Sequence, residues 1–143
     1  MLIGVIGESC TGKSTLAEKL KNQLHAQVFT GKDYLRLAKN EAIARKLFVT
    51  KLEEAKTGES ILYVISEKEH LALLPEGAIR ILMTADLELI LERFAQRMHG
   101  TLPIPVKTML EKKHGAFDAI SWDYHVHNGE NAEVVCAALE GST

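Results

Sequence analysis

Cysteine is nearly absent from this chain of 143 residues; there are two, Cys10 and Cys136. They cannot make the disulfide framework of a small secreted domain. Cys10 also lies within a loop where a crosslink would obstruct function, so a reducing, cytoplasmic setting is expected. Proline is equally scarce, at three residues, while 46% of the chain is hydrophobic and 25% charged. That profile excludes disordered and fibrous classes and fits one globular domain over 1–143, with a single core. No charge of one sign dominates: 17 Lys and Arg face 19 Asp and Glu, for a formal net charge of −2. Without a clustered basic face, a nucleic-acid partner is not expected. Apolar runs of membrane-spanning length are missing. The opening MLIGVIG is too short for a signal core and lacks a basic start. A monomer or small homo-oligomer is expected, with no membrane partner.

What is present is an alternation of short apolar runs and amphipathic stretches. Leu2–Ile6, Gln27–Thr30, Ile61–Ile65, Ala78–Met83 and Trp122–His127 read as five strands. They lack polar alternation, as strands buried on both faces of a parallel sheet do. Between them, Leu16, Ala17, Leu20 and Leu24 mark one helical face. Leu35 through Ala55 suggests one or two helices ending near Gly58. The clearest helix is Asp86–Met98, with Leu87, Ile90, Leu91, Phe94, Ala95 and Met98 in a stripe and Asp86 as cap or first-turn anion. Val106–Lys113 and Asn131–Leu139 are two shorter candidates. Strands alternating with helices imply βαβ units, an α/β class with a five-stranded parallel sheet and helices on both faces.

The segment Gly7-Glu8-Ser9-Cys10-Thr11-Gly12-Lys13-Ser14-Thr15 matches G-x-x-x-x-G-K-[ST] at each fixed position. A buried strand feeds it and a helix leaves it, which is the context the motif requires. Its glycines let the backbone curl so that several N–H groups face one anion. The helix beginning near Lys13 adds the positive end of its dipole. Lys13 offers a charge to β- and γ-phosphates, and the Ser14 hydroxyl suits Mg²⁺. This phosphate-binding loop (P-loop, or Walker A motif) points to a nucleoside triphosphate, with ATP and Mg²⁺ as the expected cofactors.

Other features carry two readings each. Arg93 and Arg97 stand at i and i+4, off the apolar stripe of their helix. They either stabilise a phosphoryl group in transfer or form a solvated face near a helix C-terminus. His125 and His127 share a strand face with Asp123; they read as a partly exposed strand edge or nucleotide neighbour, or as a metal pair that would need further ligands. Trp122 and Tyr124 are expected in the core. Lys112-Lys113-His114 is a solvated helix end or a phosphate grip. Cys10 is either a thiol activated by the helix N-terminus or a small residue the loop tolerates.

Three stretches resemble the adenylate kinase-like group of nucleoside monophosphate kinases. The first is the P-loop. The second is Thr30-Gly31-Lys32-Asp33-Tyr34-Leu35-Arg36, similar to that family's T-G-D-x-L-R acceptor segment with Lys32 inserted. The third is Arg93-Phe94-Ala95-Gln96-Arg97, similar to its R-x-x-x-R at the start of the lid. The resemblance implies a three-layer P-loop NTPase fold, with an acceptor-binding helical segment near 31–59 and a short lid near 99–115. Thr30, Gly31, Asp33 and Arg36 would hold the acceptor, with Arg36 on its phosphate. Arg93 would lie against the nucleotide base, and Arg97 would reach the phosphates. Asn128 and Gly129 would touch the base through main-chain groups. Lys107, Lys112 and Lys113 would lie in the lid. The family's acid at the end of strand three is replaced by Val64-Ile65-Ser66-Glu67, and no following acceptor arginine is found. Glu67 or Asp33 would stand in for the acid.

The expected activity is a small ATP-dependent kinase that moves the γ-phosphate to a small-molecule acceptor, foremost a nucleoside monophosphate. Lys13, Arg97 and Asp33 are its candidate catalytic residues. A kinase of another small metabolite, of the shikimate or gluconate type, and a nucleotide-binding module with little catalysis are the alternatives.

Overall fold

The computed structural model describes residues 1–141. Five parallel strands form one sheet in the order β2-β3-β1-β4-β5. They are β1 (Leu2–Gly7), β2 (Gln27–Thr30), β3 (Ile61–Ile65), β4 (Ile79–Thr84) and β5 (Tyr124–His127). Every residue of β1 and β3 is buried, as their unbroken apolar sequences require. Trp122 falls outside β5 and is half exposed, against the expectation of core packing; its indole instead leans on the His125 ring, centroids 5.2 Å apart.

Alternate side chains of the strands feed two apolar layers. On one face Ile3 and Val5 of β1 meet Leu16, Ala17 and Leu20 of α1 (Lys13–Leu24), with Val135 and Leu139 of α6 (Ala132–Glu140). On the other, Leu2 and Ile6 meet Phe48, Leu52 and Ala55 of α2 (Glu41–Ala55). Asn40 caps α2, its Oδ1 accepting from Ile43 N at 3.1 Å. A short 3-10 helix, Asp33–Leu37, precedes α2. The single turn α3 (Lys68–Leu71) follows β3 and is too brief to leave a periodic trace in sequence.

Helices α4 (Leu87–Arg97) and α5 (Ile104–Lys113) stand beyond the C-terminal ends of the strands. Ile90 and Leu110 are buried there with Ala85 and Cys10 in a small third cluster. The apolar stripe of α4 therefore packs against the P-loop and α5. Asp86 occupies the N-cap position of α4, and Asn131 that of α6, but neither side chain caps its own helix. Both carboxylate oxygens of Asp86 reach to β5 and the turn after it, and Asn131 Nδ2 donates to His125 O.

Phe48 is fully buried between three rings. It stacks on Tyr34 at 5.3 Å, meets Phe29 at 5.0 Å and presents itself edge-on to Tyr63 at 4.8 Å. Phe48→Ala is expected to lower unfolding free energy by roughly 3–5 kcal/mol in urea titration. A loss under about 1 kcal/mol would show that α2 does not close this layer.

Candidate functional site

The loop between β1 and α1 is shaped by close approaches. A Cβ at Gly7 would lie 2.3 Å from Met83 O of the neighbouring strand, so only glycine lets the chain leave the sheet there. Gly12 has φ 95°, and Cys10 takes φ 64°, a left-handed conformation uncommon for a side-chain-bearing residue. The Cys10 side chain is buried in the α4–α5 cluster, so packing accounts for a small apolar residue at this position. Thr11 is fully buried and its hydroxyl donates to Glu8 O at 2.8 Å. Among the described residues, the main-chain N–H groups of residues 9–12 donate to no protein acceptor. Unpaired donors converging at a helix N-terminus make an anion cradle.

Lys13 is 7% exposed, and its Nζ donates to Glu8 O. Burial pushes its ammonium down from the ordinary 10.5 to about 8, and Arg97 adds like-charge repulsion. Ser14 is exposed on the first turn of α1. A hard hydroxyl oxygen there fits the donor set that Mg²⁺ prefers.

Three cavities border this loop; one, about 430 Å³, lies beside Glu8 among Thr84, Asp86, His114 and His127, and the other two involve the loop more directly. The first of these two, about 330 Å³, is lined by Cys10, Thr11, Gly12 and Thr15 of the loop, Lys19 of α1, Arg93 and Arg97 of α4, and Gly129 after β5. Arg93 Nη1 donates to Cys10 O at 2.9 Å, which holds the guanidinium against the loop. The arginine pair thus faces the phosphate loop, together with a turn from the far edge of the sheet. The second cavity, about 240 Å³, opens beside Glu8 and Ser9. Its walls are Ser66, Glu67 and Lys68 at the end of β3, with Leu110, Lys113 and Phe117 from α5 and the segment after it.

The expected acceptor residues lie elsewhere. Asp33 Oδ2 accepts from Thr30 N at 2.9 Å and sits 3.7 Å from Arg36 Nη2. Tyr63 Oη donates to Gly31 O at 2.8 Å. Thr30, Gly31, Asp33 and Arg36 are therefore brought together as a self-bonded turn, but they do not line either cavity. Of the expected lid lysines, Lys113 lines the second cavity, while Lys107 and Lys112 do not.

Several contributors were missed from sequence. Glu8 was read only as part of the motif, yet its carboxylate accepts from His114 Nδ1 at 3.0 Å and Gly115 N at 3.2 Å. The segment that follows α5 is thereby tied to the P-loop. Lys19, which lines the first cavity, was not singled out; its place one turn beyond Thr15 was the available signal. Ser66, Lys68 and Phe117 gave no motif at all.

A chain of hydrogen bonds fixes the turn at Asn128–Gly129. The Asp86 carboxylate can only accept, so His127 Nε2 donates to it, at 3.2 Å. With neutral rings, Thr84 Oγ1 then donates to His127 Nδ1 at 2.8 Å and accepts from His125 Nε2 at 2.7 Å. Both histidines are thus engaged by one hydroxyl, and no group of three metal-ligating side chains occurs among the described residues. Asn128 Nδ2 donates to Asp86 Oδ2 at 3.0 Å, while Asn128 Oδ1 accepts from Asp86 N at 2.9 Å. These bonds, Asn128 first, hold the Asp86 carboxyl below its ordinary pKa.

The Lys13 charge would give polyphosphate binding at this loop a defined pH dependence. A bound polyphosphate favours the ammonium and raises its pKa, so affinity is full below about pH 8 and falls as pH rises through that value. Calorimetry at pH 8.5–9, in buffers of different ionisation enthalpy, should report proton uptake on binding ATP. Proton release, or an affinity flat from pH 7 to 10, would contradict the assignment. In the unliganded protein the sign reverses. The unfolded chain holds the proton up to about 10.5, so stability rises from pH 8 to 10.5 as the folded state sheds a buried charge. If the Asn128–Gly129 turn meets the base of a bound nucleotide, Asp86→Ala should weaken ATP binding roughly two- to tenfold while leaving inorganic tripolyphosphate unchanged, since it loosens only that turn. Equal losses for both ligands would place Asp86 in general folding.

No family profile and no curated protein sequence matches the chain. Solved structures do. A gluconokinase from Sinorhizobium meliloti 1021 superposes with a TM-score of 0.61 at 13% identity, over 99% of this chain and 94% of that one. A shikimate kinase from Acinetobacter baumannii, in complex with shikimate, gives 0.63 at 14% identity, over 99% and 93%. A deoxyadenosine kinase from M. mycoides with bound dATP gives 0.56 at 15% identity, over 99% and 98%. At these identities the likeness establishes the fold: a three-layer α/β sandwich of the kind found in small P-loop kinases.

Proposed function

We propose that the protein is a small ATP-dependent kinase that transfers the γ-phosphate of ATP to a small-molecule acceptor. The observation that carries this reading is the placing of two cavities on either side of one phosphate loop. One is cationic and holds paired arginines; the other opens at Glu8 and Ser9, where a second substrate can face the end of the triphosphate. Phosphoryl transfer needs in-line positioning and charge stabilisation rather than a covalent enzyme intermediate. The loop amides and Lys13 would hold the β- and γ-phosphates. Arg97 would stabilise charge on the moving group, and Arg93 and the Asn128–Gly129 turn would hold the nucleoside. Ser14 would hold Mg²⁺, which when bound neutralises charge between the β- and γ-phosphates. The Thr30–Arg36 turn, with Asp33, would be a candidate support for the acceptor. No helix among the described residues is long and apolar enough to cross a membrane; the chain would act in the cytoplasm on soluble substrates.

Structural neighbours act on different acceptors, so the reaction is tested before its acceptor. Lys13→Ala should abolish measurable ATP binding. Arg97→Ala should leave ATP affinity within about threefold and reduce kcat by about 10²–10³. Equal losses in affinity and kcat would assign Arg97 to ground-state binding, and nucleotide binding without turnover of any acceptor would favour a binding module.

A further inference from the structure

The two cavities differ in charge. The first is lined by Lys19, Arg93 and Arg97, with no carboxylate. The second sets Glu8 and Glu67 against Lys68 and Lys113, so its formal charges cancel. No arginine reaches it. Arg93 and Arg97 belong to the first cavity, Arg36 is paired with Asp33, and Arg45 is paired with Glu41 on α2. Arg80 lies on β4, outside this lining.

The charges in the second cavity are also partly spent. Glu8 has both oxygens engaged by His114 and Gly115. Lys113 Nζ lies 3.2 Å from Glu67 Oε1. Apart from Ser9 and Ser66 the rest of the wall is apolar, with Leu110 and Phe117 only 5% and 3% exposed. At about 240 Å³ the space falls below the roughly 300–1,000 Å³ usual for drug-sized ligands.

A phosphomonoester brings close to two negative charges at neutral pH. Here it would meet a wall of zero net charge, beside a triphosphate that already repels it. A molecule without net charge meets no such penalty. It can lay an apolar face on Leu110 and Phe117 and turn hydroxyls toward Ser9, Ser66 and Glu67.

We infer that the phosphate acceptor is a small hydroxyl compound of zero net charge, neutral or zwitterionic, and not a phosphomonoester. The inference rests on the phosphotransferase reading and names the substrate class of its second cavity. In the step itself, the acceptor oxygen bonds to the γ-phosphorus as the bond from that phosphorus to the β–γ bridging oxygen breaks. The bridging oxygen keeps the electron pair and leaves as part of ADP. The hydroxyl proton passes to the Glu67 carboxylate, the acid on this wall with an oxygen outside its ion pair.

The test uses the full chain with ATP and Mg²⁺ and matched acceptors. Nucleosides are set against their 5′-monophosphates, sugar alcohols against the corresponding sugar acids, and hydroxy amino acids are added as zwitterions. Product is read by ³¹P NMR as a new phosphoester together with ADP. The expected result is transfer to an uncharged or zwitterionic compound, with kcat/KM at least tenfold above its anionic counterpart. Met109→Lys adds one positive charge to this wall from an exposed position on α5, and should shift that ratio about tenfold toward the anionic member. Transfer to a monophosphate or sugar acid at equal or greater kcat/KM would overturn the inference. So would a ratio unmoved by Met109→Lys. Failure of the wild-type protein to bind ATP, or ATP binding with no phosphoester from any member of the panel, charged or uncharged, would overturn the phosphotransferase reading instead.

Discussion

The arrangement depends on a single buried charge. Lys13 sits almost out of contact with water, its ammonium on the carbonyl of Glu8 in the loop from which it comes. Keeping an unpaired cation there costs roughly 3 kcal/mol, taken from the fall of its pKa from 10.5 to about 8. Among the described residues no carboxylate forms an ion pair with it, the charge of Glu8 helping only from a distance, and the loop's own carbonyls carry the load. Glu8 O holds both Lys13 and the Thr11 hydroxyl, and Cys10 O holds Arg93. The carbonyls of Glu8 and Cys10 are turned toward protein cations, leaving the N–H groups of residues 9–12 for an anion. A polyphosphate would then relieve an electrostatic cost that the fold carries without it.

The rest of the molecule positions groups around that charge. The fully apolar β1 and β3 fix the start of the loop at the centre of the sheet, where Gly7 passes close to Met83 O. α4 buries Ile90 beneath the loop, and this turns Arg93 and Arg97 toward the phosphate side. At the sheet edge, Asp86 gives up capping α4 and instead binds the turn after β5. On the opposite side Glu8 binds His114 and Gly115, so the segment after α5 is tied to the P-loop. The cationic cavity and the charge-balanced cavity are therefore referenced to the same nine-residue motif.

What could be read in the sequence follows from how local each signal is. The five strands and the P-loop were legible because an apolar run and a fixed-spacing motif are written in contiguous residues. The position of Arg93 and Arg97 was legible because the α4 stripe leaves them no place in its packed face. The second cavity was not legible, since Glu8, Glu67 and Phe117 come from three separated segments that only the sheet order brings together. The role of Asp86 was hidden for a related reason. Its cap position is visible in sequence, but its partners Asn128 and His127 lie on another strand's end. The Thr30–Arg36 turn shows the converse: a local resemblance was evident, while the side chains bond to one another instead of lining a cavity.

The central claim is that one loop directs a triphosphate from the cationic cavity toward the charge-balanced one. A crystal structure with Mg²⁺ and a nonhydrolysable ATP analogue measures this most directly. The account predicts the β- and γ-phosphates on the N–H groups of residues 9–12 with Lys13, the base beside Gly129, and the γ-phosphorus at the mouth of the cavity walled by Ser66 and Glu67. A base seated between Glu67 and Phe117, or a γ-phosphate directed away from that cavity, would contradict it.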